Sequence, residues 1–205
     1  MTYIVDKMPI DIIYKDIYTY INKYDYDSFV IITENEEQSD YLSRKIKGKC
    51  KKIGAEYTDD GKINTYKIAN SIKKEDRVII TCFDYLPFLY KSLRDILEDY
   101  YLLIINASEP FSNSYDASKF HTTREMGIEY VKPEENDGFL RHTLWGTRSF
   151  IKEGNQVKTL NYPEIVLDSF LDVCIYTQDF KKDLKQCFDK YCKNYNYITY
   201  DELKQ

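Results

Sequence analysis

Short, unbroken apolar runs alternate along this chain with stretches in which apolar residues recur every three or four positions. Ser28-Phe29-Val30-Ile31-Ile32-Thr33 is one such run, and residues 77–82 and 101–106 are two more. Runs of this kind, rich in β-branched residues and without a polar alternate, predict strands buried on both faces. Ile10, Ile13, Ile17 and Ile21 share one helical face after Pro9, a residue suited to a first turn. Tyr41, Leu42 and Ile46 mark a second helix over residues 36–47, which Gly48 is placed to end, and Leu89, Leu93, Ile96 and Leu97 mark another. A weak strand is expected over 50–57, before the turn Asp59-Asp60-Gly61, and a short helix over 64–74. Further on, a helix is expected from Pro163 (Ile165, Val166, Phe170), a strand over 172–177, and an amphipathic helix carrying Phe180, Leu184, Cys187, Phe188 and Tyr191.

Strands alternating with amphipathic helices predict an α/β fold, a three-layer, mostly parallel sheet flanked by helices. The stretch after the third strong strand, 107–154, is punctuated by Pro110, Gly127, Pro133, Gly138, Gly146 and Gly154. It reads as an irregular, loop-rich insert with short elements. With no internal repeat or low-complexity linker, residues 1–205 read as one domain.

Composition narrows the function classes. Apolar residues make up 43% of the chain and charged ones 31%, enough for a packed core. A net charge of -5 and a pI near 5.2 argue against gripping nucleic acid by bulk electrostatics, though not against a local basic patch. The five cysteines form no CxxC, and Cys187 and Cys192 have no histidine nearby, so no metal site is expected; Cys82 and Cys174 read as small buried hydrophobes. The opening MTYIVDKMPIDIIYKD carries acids within its apolar stretch and has no cationic start, unlike a signal peptide. No apolar run approaches the roughly 20 residues of a membrane span. These features predict a cytoplasmic protein with no membrane partner. The 21 tyrosines are spread over helix and strand positions and say little about chemistry.

Ligands of open parallel sheets bind beyond the carboxyl ends of the strands. Those ends carry Thr33 and Glu34, Thr81 and Asp84, and Asn106, Ser108 and Glu109. They form either a binding rim or caps for the turns that follow. Neither GxGxxG nor GxxxxGK[ST] is present, and no cofactor is expected. The rarest residues are uneven: residues 121–148 hold both histidines (His121, His142), the single Trp145, and Arg124, Arg141 and Arg148, three of six arginines. Arginine offers a planar fork for anions, tryptophan a stacking platform, and histidine a proton shuttle near neutral pH. His121 and His142, with Glu109, are the candidate catalytic residues; Arg124, Arg141, Trp145 and Arg148 are the candidate ligand-binding ones. His121 and Glu125 would share a face if their segment were helical, giving two metal ligands at most.

The segment VIITENEEQSDYLSRKI resembles the strand, polar turn and helix with which helicase lobes touch the nucleic-acid backbone, and RVIITCFDYLPFLYKSL followed by DYYLLIINASEP resembles the later strand pair of the same lobe. Residues 10–112 are thus similar in segment order to a RecA-like helicase lobe. The phosphate-binding loop is missing, and Asn106-Ala107-Ser108-Glu109 stands where an ATPase lobe carries an acidic pair. Compared with a second lobe, Arg124 falls in the region where such lobes turn an arginine toward ATP. The resemblance implies a degenerate lobe, a catalytically silent binding or assembly component of nucleic-acid machinery. The acidic pI favours a protein partner over free duplex, with nucleic acid reached through a local patch. Two competing readings are a small enzyme acting on a phosphorylated or nucleotide-like substrate, and a structural subunit with a Tyr-rich interface.

Overall fold

A computed structural model describes residues 1–24, 26–48, 50–54, 59–60, 67, 72–73, 75–85, 97–134, 149–192 and 194–205. Twelve strands, β1 to β12, lie among these residues. Seven of them form one sheet: β1 (Thr2–Asp6), β2 (Ser28–Thr33), β3 (Cys50–Lys52), β4 (Val78–Cys82), β5 (Tyr100–Ile104), β11 (Val173–Tyr176) and β12 (Tyr195–Thr199). Their order is β12-β1-β11-β5-β2-β4-β3 and every pairing is parallel. The three strong strands of the sequence lie side by side at its centre, as expected of runs without a polar alternate.

Helices flank this sheet. Alternate residues of each strand point to opposite faces, and each face has its own core. On one, Ile31, Ile80 and Leu103 pack with α1 (Ile10–Lys23) and α2 (Glu36–Lys45). On the other, Ile32, Ile79, Leu102 and Ile104 pack with α3 (Glu164–Leu167) and α4 (Lys182–Tyr191). Burying each such side chain stabilises the fold by about 1.5–3 kcal/mol. A last short helix, α5 (Tyr200–Leu203), opens on a capping box between Thr199 and Glu202.

Local chemistry fixes where the helices stop and start. Ile13, Ile17 and Ile21 give α1 its buried stripe. At its carboxyl end, the Arg77 guanidinium donates to the carbonyls of Ile21, Tyr24 and Asp27 at 3.2, 2.8 and 3.0 Å. One cation thus satisfies orphan carbonyls and complements the helix dipole. The Asn35 side chain caps α2 by accepting from the Gln38 N–H. The helix expected from Pro163 lasts one turn, with Phe170 buried beyond it.

The described part of the stretch expected to be loop-rich holds strands. Antiparallel β6 (Phe111–Asp116), β10 (Gln156–Leu160) and β9 (Phe150–Glu153) form a small sheet, and β7 (Phe120–Glu125) and β8 (Ile128–Pro133) form a hairpin. Phe120, Phe150 and Val157 make the core that joins the two. Strands β1 and β12 are also elements that the apolar pattern did not announce. Most of the helix expected over 64–74, and most of the one marked by Leu89 to Leu97, lie outside the described residues. Among the described residues, no helix is long and apolar enough to cross a membrane.

Candidate functional site

The carboxyl ends of the central strands divide into stitching residues and an exposed chain of polar groups. Thr33 is fully buried; its hydroxyl donates to the Asn35 carbonyl (2.8 Å) and bonds the Ser39 hydroxyl (2.6 Å). Thr81 is likewise buried and donates to the Ile53 carbonyl at 3.1 Å. Thr33 thus fastens the turn that follows β2, and Thr81 ties β4 to the chain leaving β3. Glu34, in contrast, is exposed and accepts from the side-chain amides of Asn106 (3.0 Å) and Gln38 (3.3 Å). The Asn106 oxygen in turn accepts from the Gln178 amide at 2.8 Å. Glu34, Asn106 and Gln178 thus link the ends of β2, β5 and β11. Asn106 adopts φ +58, left-handed backbone that asparagine tolerates better than most residues.

Ser108 is half-buried, and its backbone hydrogen-bonds the Tyr162 hydroxyl, whose titration burial pushes well up. Asp84 lies in the 3-10 turn Phe83–Tyr85, its side chain outside the described residues. At the end of β1, which the sequence reading passed over, Asp6 is buried and fully engaged. Its carboxylate accepts from the Lys7 and Phe180 N–H groups, both at 2.8 Å, and from the Tyr197 hydroxyl at 2.7 Å.

Glu109 is exposed on the loop after β5, with its carboxylate 3.8 Å from the Lys181 ammonium and its carbonyl accepting from Asn161. It opens onto a 600 Å³ groove between the small sheet and α4, where Glu153 sits 3.0 Å from Lys158 and 3.8 Å from Lys190. The Lys158 hydrogen bond holds the Glu153 carboxyl below its ordinary range. A second groove, 630 Å³, separates the hairpin from α3, lined by Thr122, Tyr130, Val131 and Ile165 among others. A third, 510 Å³, lies beside α1, with Tyr20, Tyr24, Phe29, Tyr101 and Tyr176 on its walls. Sequence reading found none of these grooves, because each is assembled from segments far apart in the chain.

His121 and Arg124 both lie on β7 and both are exposed. Three positions apart in a strand, they project from opposite faces of the hairpin. His121 stands across from Lys132, and Arg124 across from Glu129. Among the described residues, His121 has no hydrogen-bond or ion-pair partner, and nothing joins it to Glu109. The helical pairing of His121 with Glu125 is corrected: in β7 these residues lie about 13 Å apart along the strand, too far for one metal ion. Arg141, His142, Trp145 and Arg148 fall outside the described residues.

What the sequence did not single out is the tip of this hairpin. Glu125 pairs with Ile128, so Met126 and Gly127 alone make the turn, at φ +51 and +83. Positive φ at both central positions is the two-residue turn whose twist matches paired strands. Met126 is fully exposed and Ile128 is 54% exposed, so the hairpin ends in an apolar point standing in water.

Comparison of the chain with protein-family models, with curated proteins and with solved structures gives no match.

Proposed function

We propose that this chain is a catalytically silent, three-layer α/β domain that serves as a binding component of nucleic-acid machinery, engaging a protein partner through the β7–β8 hairpin and the segment that follows it. The observation carrying this reading is the hairpin tip: Met126 and Ile128 are held out in water by a tight turn. An exposed apolar point on an ordered hairpin marks an interaction surface, and methionine adapts to varied partner surfaces. Arg124 and Glu129, paired one step from the turn, flank the tip and supply polar contacts around it. The parallel neighbours β4, β2 and β5 suit the segment order of a RecA-like lobe. The acidic chain favours a protein over free duplex.

The enzyme reading requires His121 and an arginine to converge on one substrate. The opposite orientations of His121 and Arg124 favour binding over that chemistry. The test uses the tagged chain, purified after nuclease treatment from cells that naturally contain it, beside a Met126→Glu, Ile128→Glu variant. The expected result is a defined protein retained by the wild type and lost from the variant at unchanged thermal stability. Equal retention by both overturns the reading. So does a partner that nuclease removes, if the chain also binds labelled single strands with an affinity that falls steeply with salt.

A further inference from the structure

The hairpin and the small sheet each end in an open strand, and the two open strands border one groove. Among the described residues, β8 pairs only with β7 and β9 only with β10. Hydrogen bonds at the base of each ladder fix which main-chain groups face outward. In the hairpin, the Glu134 N–H donates to the Lys119 carbonyl at 2.9 Å, in step with Phe120 opposite Pro133. Antiparallel partners alternate between pairs that exchange such bonds and pairs that do not. Ile128, Tyr130 and Lys132 therefore turn their main-chain groups toward β7, and Glu129 and Val131 turn theirs away from it. In the small sheet, the Leu160 N–H donates to the Ser149 carbonyl at 2.6 Å. By the same alternation Ile151 and Glu153 face β10, while Phe150 and Lys152 face away. Glu129, Val131, Phe150 and Lys152 all line the 630 Å³ groove.

We propose that this groove takes an extended peptide segment of a protein partner, which lies between β8 and β9 as an added strand and joins the hairpin to the small sheet. The proposal rests on the hairpin as a protein-docking element and gives the docking part of that partner its chemistry. The outward N–H and C=O groups on both walls select the occupant. The main-chain groups of a strand point to its two sides at alternate residues, so one strand satisfies both walls at once. A helix does not, because its main-chain groups are bonded to one another.

Side chains of the walls set the sequence that fits. Val131 and Phe150 belong to the apolar core that joins the hairpin to the small sheet. Tyr130 and Ile151, their neighbours in sequence, also line the groove and project from the opposite faces of their strands. A strand between these walls meets apolar neighbours on both sides, which suits β-branched and aromatic residues. Glu129 stands opposite Arg124 within the hairpin. Lys152, in contrast, is exposed and has no ion pair among the described residues. An acidic residue of the peptide beside Lys152 completes the match.

Selection of random peptides displayed on phage against the purified chain tests this without the natural partner. Enriched peptides are expected to carry a proline-free run of β-branched and aromatic residues with an acidic residue in it. Selection on Lys152→Glu is expected to exchange that acidic residue for a basic one. A synthetic copy of the enriched peptide, N-methylated at one central amide at a time, separates an added strand from other modes of binding. A loss of about tenfold is expected at every consecutive central position, because alternate N–H groups serve β8 and β9. Loss at alternate positions only shows that a single edge is used and overturns the proposal, as does loss at none. Lys152→Pro removes an outward N–H at an exposed edge position, where proline is tolerated. This variant is expected to keep its thermal midpoint and to bind the peptide about tenfold more weakly; binding at wild-type affinity overturns the proposal. So does a selection that enriches no peptide above background. That failure would strike the added strand alone, since the hairpin tip is judged separately by retention of the natural partner on the Met126→Glu, Ile128→Glu variant.

Discussion

Arg77 shows how one side chain fixes the relation between two elements. It precedes β4 in sequence, yet its guanidinium reaches back to three carbonyls at the end of α1 and in the turn before β2. Hydrogen bonds to a charged donor contribute about 1.5–3 kcal/mol each before their coupling is counted. Arg77→Ala is expected to lower stability by roughly 2–4 kcal/mol, because three half-buried carbonyls lose their donor together. Arg77→Lys is expected to recover less than half of that loss, since an ammonium lacks the planar fork that spans them. Urea denaturation of the two variants measures both effects. A full recovery by lysine would show that charge alone is at work.

At the scale of elements, the hairpin turn stores a small, testable strain. Gly127 accommodates its φ of +83 freely, but Met126 at +51 does so against its Cβ. Met126→Asn suits the same turn, and is expected to raise stability by about 0.5–1 kcal/mol while weakening partner retention. Stability that falls in this variant would show that the apolar tip already has a contact within the chain.

What was legible in the sequence follows from where each element lies. The central strands β2, β4 and β5 have neighbours on both edges and buried core on both faces, so their apolar runs are continuous and their positions were read to within a residue or two. β1 and β12 sit toward one side, where Tyr3 and Tyr197 reach water, and their mixed pattern resembles a polar terminus. β7 was harder: Phe120-His121-Thr122-Thr123-Arg124-Glu125 has one apolar residue, because only that end of the hairpin packs on Phe150 and Val157. The rim residues lie at or just beyond the ends of β2, β4 and β5. Whether each would stitch or stay exposed depends on partners such as Ser39 and Ile53, which pattern alone does not pair with them.

For the whole molecule, burial of weak acids sets a ceiling on alkaline stability. Burial raises the thiols of Cys50, Cys174 and Cys192 from 9.0 to about 11, and that of Cys187 to about 12. Tyr14 and Tyr197 rise from 10.0 to about 12, chiefly by burial, helped at Tyr197 by the hydrogen bond to Asp6. Between the ordinary and the raised values, the folded chain holds protons that the unfolded chain has released. Stability therefore falls as pH climbs from about 9 toward 11. The thermal midpoint is expected to be flat from pH 7 to about 8.5 and to drop steeply above it. Over the flat range, native thiols are expected to label slowly with a thiolate-selective reagent and rapidly once urea is added. Fast labelling of the native chain at pH 8 would contradict the burial of these groups.

The place of β1 in the sheet also has a consequence in time. Thr2 pairs with Val173 on one side and Tyr195 on the other, so β1 leaves the ribosome long before either of its neighbours. During synthesis, β2, β4 and β5 can assemble while β1 waits beside them with both edges open. Contacts so distant along the chain slow folding and prolong exposure of unpaired strands. The nascent chain therefore passes through a window, closing only when residue 199 emerges, in which a chaperone has an uncapped half-sheet to protect.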